Sequence, residues 1–283
     1  MQIDNKTQFI RLIASSLQLS EKQIANTIRL LDEGATIPFI SRYRKEMTGG
    51  MDEIQLVDAK EQYDKLNELA KRKESVLKSI AEQEKLTSEL EMRILNCWNS
   101  NELEDIYLPY KPKRRTRAEI AREKGLEPLA KMLMKQQADN VHGMAQRFVN
   151  NDVADADEAL KGARDIIAEW VNENETARNS VRNIFAREAV IASKVIKGKE
   201  EEAQKYRDYF DMSEKLSRCS SHRLLAMRRG ESEGFLRVNI TVEEERPLER
   251  LERLFMKNDT EAADQVWEAV EDAYKRLLKP SIE

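Results

Sequence analysis

Glycine and proline are scarce, nine and six in 283 residues, which is about 5% together against an average near 12%. A chain with so few turn formers cannot reverse direction about every ten residues, so many-stranded sandwiches and barrels are excluded, as are collagen-like and low-complexity architectures. Two cysteines, Cys97 and Cys219, admit one bridge at most. That excludes a disulfide framework and fits reduced thiols in a cytoplasmic protein. The two histidines, His142 and His222, lie far apart, and Cys219 with His222 makes one C-x-x-H pair without a second half. Zinc normally takes four ligands, so no metal is expected. No run of about eighteen apolar residues and no basic leader before an apolar stretch occurs, so neither a membrane span nor a secretory signal is expected.

Charge is abundant: 35% of residues are Asp, Glu, Lys or Arg, and 48 basic against 52 acidic residues leave a net charge of -4. The whole molecule is therefore no polycation, and any attraction to a nucleic acid must come from a local patch. Length suits about two domains. Many charges with few breakers describe a mainly α protein with long helices.

Periodicity supports that class. Phe9, Ile10, Ile13 and Leu17 recur at helical spacing, and Ser20 with Gln23 forms a capping box opening a second helix to about Asp32. Thr36 caps a third, predicted to run to Met47 before Gly49 and Gly50, so residues 1–50 read as a helix-turn-helix-like module. In that third helix Arg42 and Lys45 share a face, whereas Arg44 falls in the apolar stripe with Ile37 and Ile40 and is read as structural. From Asp52 to about Glu84, Leu56, Ala59, Tyr63, Leu66, Ala70, Lys73, Leu77 and Ile80 alternate spacings of four and three. This predicts a helix of about thirty residues, paired in a hairpin with Leu86, Leu90, Ile94 and Trp98. The hairpin and a basic loop occupy residues 51–150.

Residues 151–283 read as a helical central region. Helices are predicted from about Ala156 to Glu173, Thr176 to Ile196 and Thr260 to Leu278, with another starting at Pro247. At most one or two short strands are expected. Phe235 to Val242 alternates onto one face and must pair with a poorly signalled strand, another subunit, or residues beyond the end of the chain.

Catalytic chemistry is hard to find. There is no Walker A loop and no G-x-G-x-x-G after a strand, while Gly230 and Gly234 read as flexibility around one turn. Glu231 and Glu233 read as solvated turn residues rather than an acid and base. No enzyme activity and no cofactor are expected. The strongest local signal is basic: Lys111, Lys113, Arg114, Arg115, Arg117, Arg122 and Lys124 stand against only Glu119 and Glu123. Tyr107 and Tyr110 at its start offer stacking surfaces of the kind used on single strands. Two readings stay open, phosphate contact or pairing with acids such as Glu102, Glu104 and Asp105. A second cluster, Arg218, Arg223, Arg228, Arg229 and Arg237, reads mainly as partners for Asp208, Asp211, Glu214, Glu231 and Glu233.

Three long motifs in order, GATIPFISRYRKEMTGG at 34–50, LEDIYLPYKPKRRTR at 103–117 with AREKGLEPL at 121–129, and SHRLLAMRRGESEG at 221–234, resemble the Tex family of bacterial transcription accessory proteins. The resemblance covers essentially the whole chain, but as the N-terminal portion of a family member. It implies that RNase H-like, helix-hairpin-helix and OB-fold RNA-binding domains would follow. It further implies a helical scaffold, nucleic-acid binding without sequence preference, and a role around transcription, as in the eukaryotic elongation factor of similar architecture. The expected partner is an RNA or DNA backbone, met mostly by those further domains, with the transcription machinery a second candidate and no membrane. On this chain the candidate contacts are Arg42, Lys45, Lys111, Lys113, Arg114, Arg115 and Arg117. The alternative is a protein-protein interaction scaffold.

Overall fold

Helices begin where a short polar side chain meets an orphaned backbone N–H. Ser20 and Asp52 form full capping boxes with Gln23 and Gln55, and Thr116, Asp155 and Thr260 accept from the backbone N–H three residues on. The computed structural model describes residues 5–112 and 115–283. It is mainly α with one small sheet, and it divides into two units, residues 1–111 and 112–283. Lys113 and Arg114 lie outside the described residues.

The first unit holds α1 (Asn5–Leu17), α2 (Glu21–Asp32), α3 (Ile37–Tyr43), α4 (Glu53–Ala81), α5 (Ser88–Asn96) and α6 (Ser100–Tyr107). Its spine is α4, which serves two apolar clusters. Phe9, Ile13, Ile24, Ile28 and Ile40 gather on Leu56 and Ala59, while Ile94, Cys97, Leu103 and Ile106 gather on Leu69, Val76 and Ile80. The predicted seam is largely inward, Lys73 included. The predicted simple hairpin is not: α5 has only nine residues, and α1, α2, α3 and α6 also pack on α4. Helix α3 stops at Tyr43, short of Met47. The chain beyond it is drawn into a turn because Asn26 donates to the Met47 carbonyl at 2.7 Å and Gln23 to the Gly49 carbonyl at 3.2 Å, with Gly49 and Gly50 at positive φ.

The second unit is built on α10 (Ala156–Glu173), which follows α7 (Arg117–Glu123), α8 (Glu127–Leu133) and α9 (Val141–Gln146). Ala159, Ala163, Ile166, Ile167 and Val171 of α10 are all buried. Helix α8 ends at Leu133, and just beyond it the buried Gln136 turns to positive φ. Its side chain bonds the backbone at Phe255, Lys257 and Asn258.

The predicted helix from Thr176 to Ile196 is really α11 (Glu175–Glu188) followed by β1 (Val190–Val195). That strand supplies the partner wanted by the alternating segment. With β2 (Asp211–Lys215) and β3 (Leu236–Thr241) it makes an antiparallel sheet of order β2-β1-β3, with Ile191 opposite Ile240 and Ser193 opposite Val238. The outer edge of β3 is blunted by carboxylates: Val238 N–H donates to Glu231 and Ile240 N–H to Glu283, both at 3.2 Å. Helix α12 (Ser221–Ser232) precedes β3, and α13 (Glu245–Phe255), α14 (Glu261–Ala273) and α15 (Lys279–Ile282) complete the unit. Gly230 is no flexible turn residue, since a Cβ there would lie 2.6 Å from Leu236. It marks close packing of α12 against β3.

Candidate nucleic-acid interface

Charged side chains become available to a polyanion only if protein carboxylates leave them free, so each candidate is sorted by its partners. Arg42 and Lys45 lie on α3 and the turn after it, both exposed, and neither has an ion pair among the described residues. Arg44 does not enter the apolar stripe. It is exposed at the end of α3, where the backbone leaves the helix at φ -130° and helical spacing stops applying. Its guanidinium donates to the Tyr43 carbonyl and sits over the Phe39 ring.

The basic stretch is partly neutralised. Lys111 is exposed at the end of the first unit without an ion pair among the described residues, and Arg117, exposed at the start of α7, likewise has none. Arg117 does face an acid at longer range: burial raises the pKa of Asp165, and the fields of Arg276 and Arg117 oppose that rise. Arg115 is claimed by Glu123 at 2.9 Å, Lys124 by Glu158 at 2.6 Å, and Arg122 by Glu169 at 2.7 Å with Glu119 and Glu127 nearby. Of the acids suspected from sequence, Glu104 is engaged elsewhere, with Arg72 at 2.6 Å.

The two tyrosines do not form open stacking surfaces as expected. Tyr107 is buried, its hydroxyl 2.9 Å from Ser79 Oγ and its ring beneath the Arg72 guanidinium. Tyr110 is half-buried against the same cluster. In the later cluster, Arg223 pairs with Glu214 at 2.9 Å and Arg228 with Glu231 at 2.7 Å, as expected of bridging side chains. Glu233 pairs with Lys205 at 2.6 Å. Among the described residues no group of three or more His, Cys, Asp or Glu is placed to hold a metal, and no helix is long and apolar enough to cross a membrane.

Two family models match the chain, a Tex-like protein N-terminal domain over residues 7–81 and a Tex central region over residues 136–281. Protein YhgF of Escherichia coli is 47% identical over 237 residues, covering 83% of this chain and 31% of that protein. The chain belongs to the Tex family. A second relative, transcriptional accessory protein Tex of Neisseria gonorrhoeae, is 46% identical over 81% of this chain and 30% of its own length. A more distant one, S1 RNA-binding domain-containing protein 1 of Pongo abelii, is 26% identical over 85% of the chain and 25% of that protein. The chain thus spans about a third of the length of its bacterial Tex relatives. The Tex N-terminal match falls within the first unit and the Tex central match within the second, and the basic stretch of residues 111–117 lies between the two.

Proposed function

We propose that this chain is a non-catalytic, nucleic-acid-binding portion of a transcription accessory protein, meeting the phosphate backbone without sequence preference. The contacts are Arg42, Lys45, Lys111, Lys113, Arg114, Arg115 and Arg117. One observation carries the reading: in a chain of net charge -4, Arg42, Lys45, Lys111 and Arg117 stand exposed with no ion pair among the described residues. The names of the gonococcal and the S1-domain relatives support it. A lysine or arginine on a phosphate releases condensed counterions, so affinity falls steeply with salt.

The test is a salt titration of binding to labelled RNA and DNA strands by fluorescence anisotropy. Replacing Lys113, Arg114 and Arg115 together by Ala flattens the slope of log K against log salt by about 1–2, below the full three-contact value because Arg115 is shared with Glu123. An unchanged slope removes that stretch from the interface. A second reading, a protein-interaction scaffold, is favoured by the exposed Ile54, Met92, Leu95 and Leu225. Its signature is absence of nucleic-acid binding at every salt concentration together with a stable protein partner.

A further inference from the structure

Two of the largest exposed apolar side chains of the first unit belong to one short helix. Phe39 is 40% and Tyr43 67% exposed, four residues apart on α3, with ring centroids 5.5 Å apart and planes inclined at 44°. The opposite side of α3 is fixed by Ile40, fully buried, and Ile37, packed on the same cluster. The Arg44 guanidinium lies 5.3 Å from the Phe39 ring centre. Arg42 and Lys45 lie within two residues of Tyr43 in sequence, both exposed, and none of these three cations has an ion pair among the described residues. Glu46 is the one acid in the segment 39–50.

The base of this surface is rigid. Thr48 is buried and donates to the Lys45 carbonyl at 3.1 Å, Asn26 and Gln23 hold the Met47 and Gly49 carbonyls, and Thr27 Oγ1 lies 3.3 Å from the buried Met51 sulfur. Partly exposed rings on a pinned scaffold, with Arg44 against one of them and Arg42 and Lys45 close by in sequence, match a ligand that offers flat apolar faces and negative charge together.

We infer that Phe39 and Tyr43 form a stacking platform for the bases of single-stranded nucleic acid, with Arg42, Arg44 and Lys45 on the flanking phosphates. This rests on the nucleic-acid reading above and adds a site and a strand preference to it. In a duplex, neighbours cover both faces of each internal base, so exposed rings find nothing to stack on. An unpaired strand presents one such face per nucleotide, and aromatic stacking tolerates any sequence. Charge complementarity selects the polyanion over an apolar protein segment, which would leave three cations without a counter-charge.

The experiment measures binding of the full chain to a labelled single strand of about 20 nucleotides and to the matching duplex, for wild type, Phe39→Ala, Tyr43→Ala, Tyr43→Phe and Tyr43→Trp. Both positions are exposed, and matching thermal melts confirm folding. Loss of one stacked base weakens strand binding by about 5- to 150-fold for Tyr43→Ala. Tyr43→Phe and Tyr43→Trp bind as wild type, the salt slope is unchanged, and duplex affinity does not move. If Phe39→Ala and Tyr43→Ala both bind the strand as wild type does, while replacing residues 113–115 still flattens the slope, the platform is overturned and the wider reading stands. If wild type binds neither strand nor duplex, both fall.

Discussion

Lys73 shows what one residue can cost a fold. It is 4% exposed in the middle of α4, its Nζ donates to the Leu95 carbonyl at 2.8 Å and lies 3.2 Å from the Trp98 ring centre, and it has no ion pair among the described residues. Burial pushes its pKa down from 10.5 to about 8, so carbonyl and ring do not make up for lost hydration. The sign of the pH effect follows. Between pH 8 and 10.5 the unfolded chain keeps a proton that the folded chain has released, so stability rises with pH across that window, by on the order of 3 kcal/mol at most. Lys73→Met, similar in length but uncharged, is therefore expected to be more stable than wild type by about 1–3 kcal/mol at pH 7, the gap narrowing as pH rises above 8. Urea unfolding at pH 7 and pH 9.5 checks it; a less stable variant at pH 7 would mean that ring and carbonyl outweigh desolvation. Lysine in an apolar seam was legible from spacing alone. Which cations of the candidate interface are free was not, because the partners of Arg115, Arg122 and Lys124 come from sequence separations of up to 47 residues.

Among the elements, what sequence reveals is local and what it hides is long-range. The cap at Ser20 could be read because cap and partner N–H are three residues apart. Strand β1 could not: Val190–Val195 is six residues long, follows a helix directly, and owes its extended form to pairing with Leu236–Thr241 more than forty residues on. Tyr107 was misread for the same reason, since Ser79 and Arg72 of α4 draw it inward. Close helix packing gives a sharper case. Gly162 of α10 faces α7 and the segment after it, where a Cβ would overlap Leu126 Cδ1 and come within 3.3 Å of the Ala121 Cβ. Leu126 is buried and has little room to retreat. Gly162→Ala should therefore destabilise by about 1–2 kcal/mol, overpacking outweighing the gain of about 1 kcal/mol in helix propensity. Made in a Leu126→Ala background, the same change becomes neutral or stabilising. Denaturant melts of the four chains measure that coupling, and additive effects would show that the contact is slack.

For the whole molecule, the apolar clusters decide what can fold by itself. Every residue of the two first-unit clusters lies between Phe9 and Tyr110, and every residue of the third lies between Ala118 and Ile282. A cut between Lys111 and Pro112 therefore leaves each core with all its members. Pro109 and Pro112 flank that point, and proline together with the restricted residue before it disfavours a helix running through the cut. Both pieces fall in the usual size range of autonomous domains. Residues 1–111 and 112–283, expressed separately, are each expected to be helical by circular dichroism and to unfold in one cooperative transition. A piece that binds a hydrophobic dye and melts without a transition would show that its core depends on the other. The cut also parts Lys111 from Lys113 to Arg117. If those cations act on one strand, each piece binds with a shallower salt slope than the intact chain, and the two slopes sum to about that of the whole. If Phe39 and Tyr43 are the stacking surface, strand preference over duplex stays entirely with residues 1–111. Binding would then be shared by the two pieces while strand preference stays with one, and a second piece that still favours single strands would place stacking elsewhere.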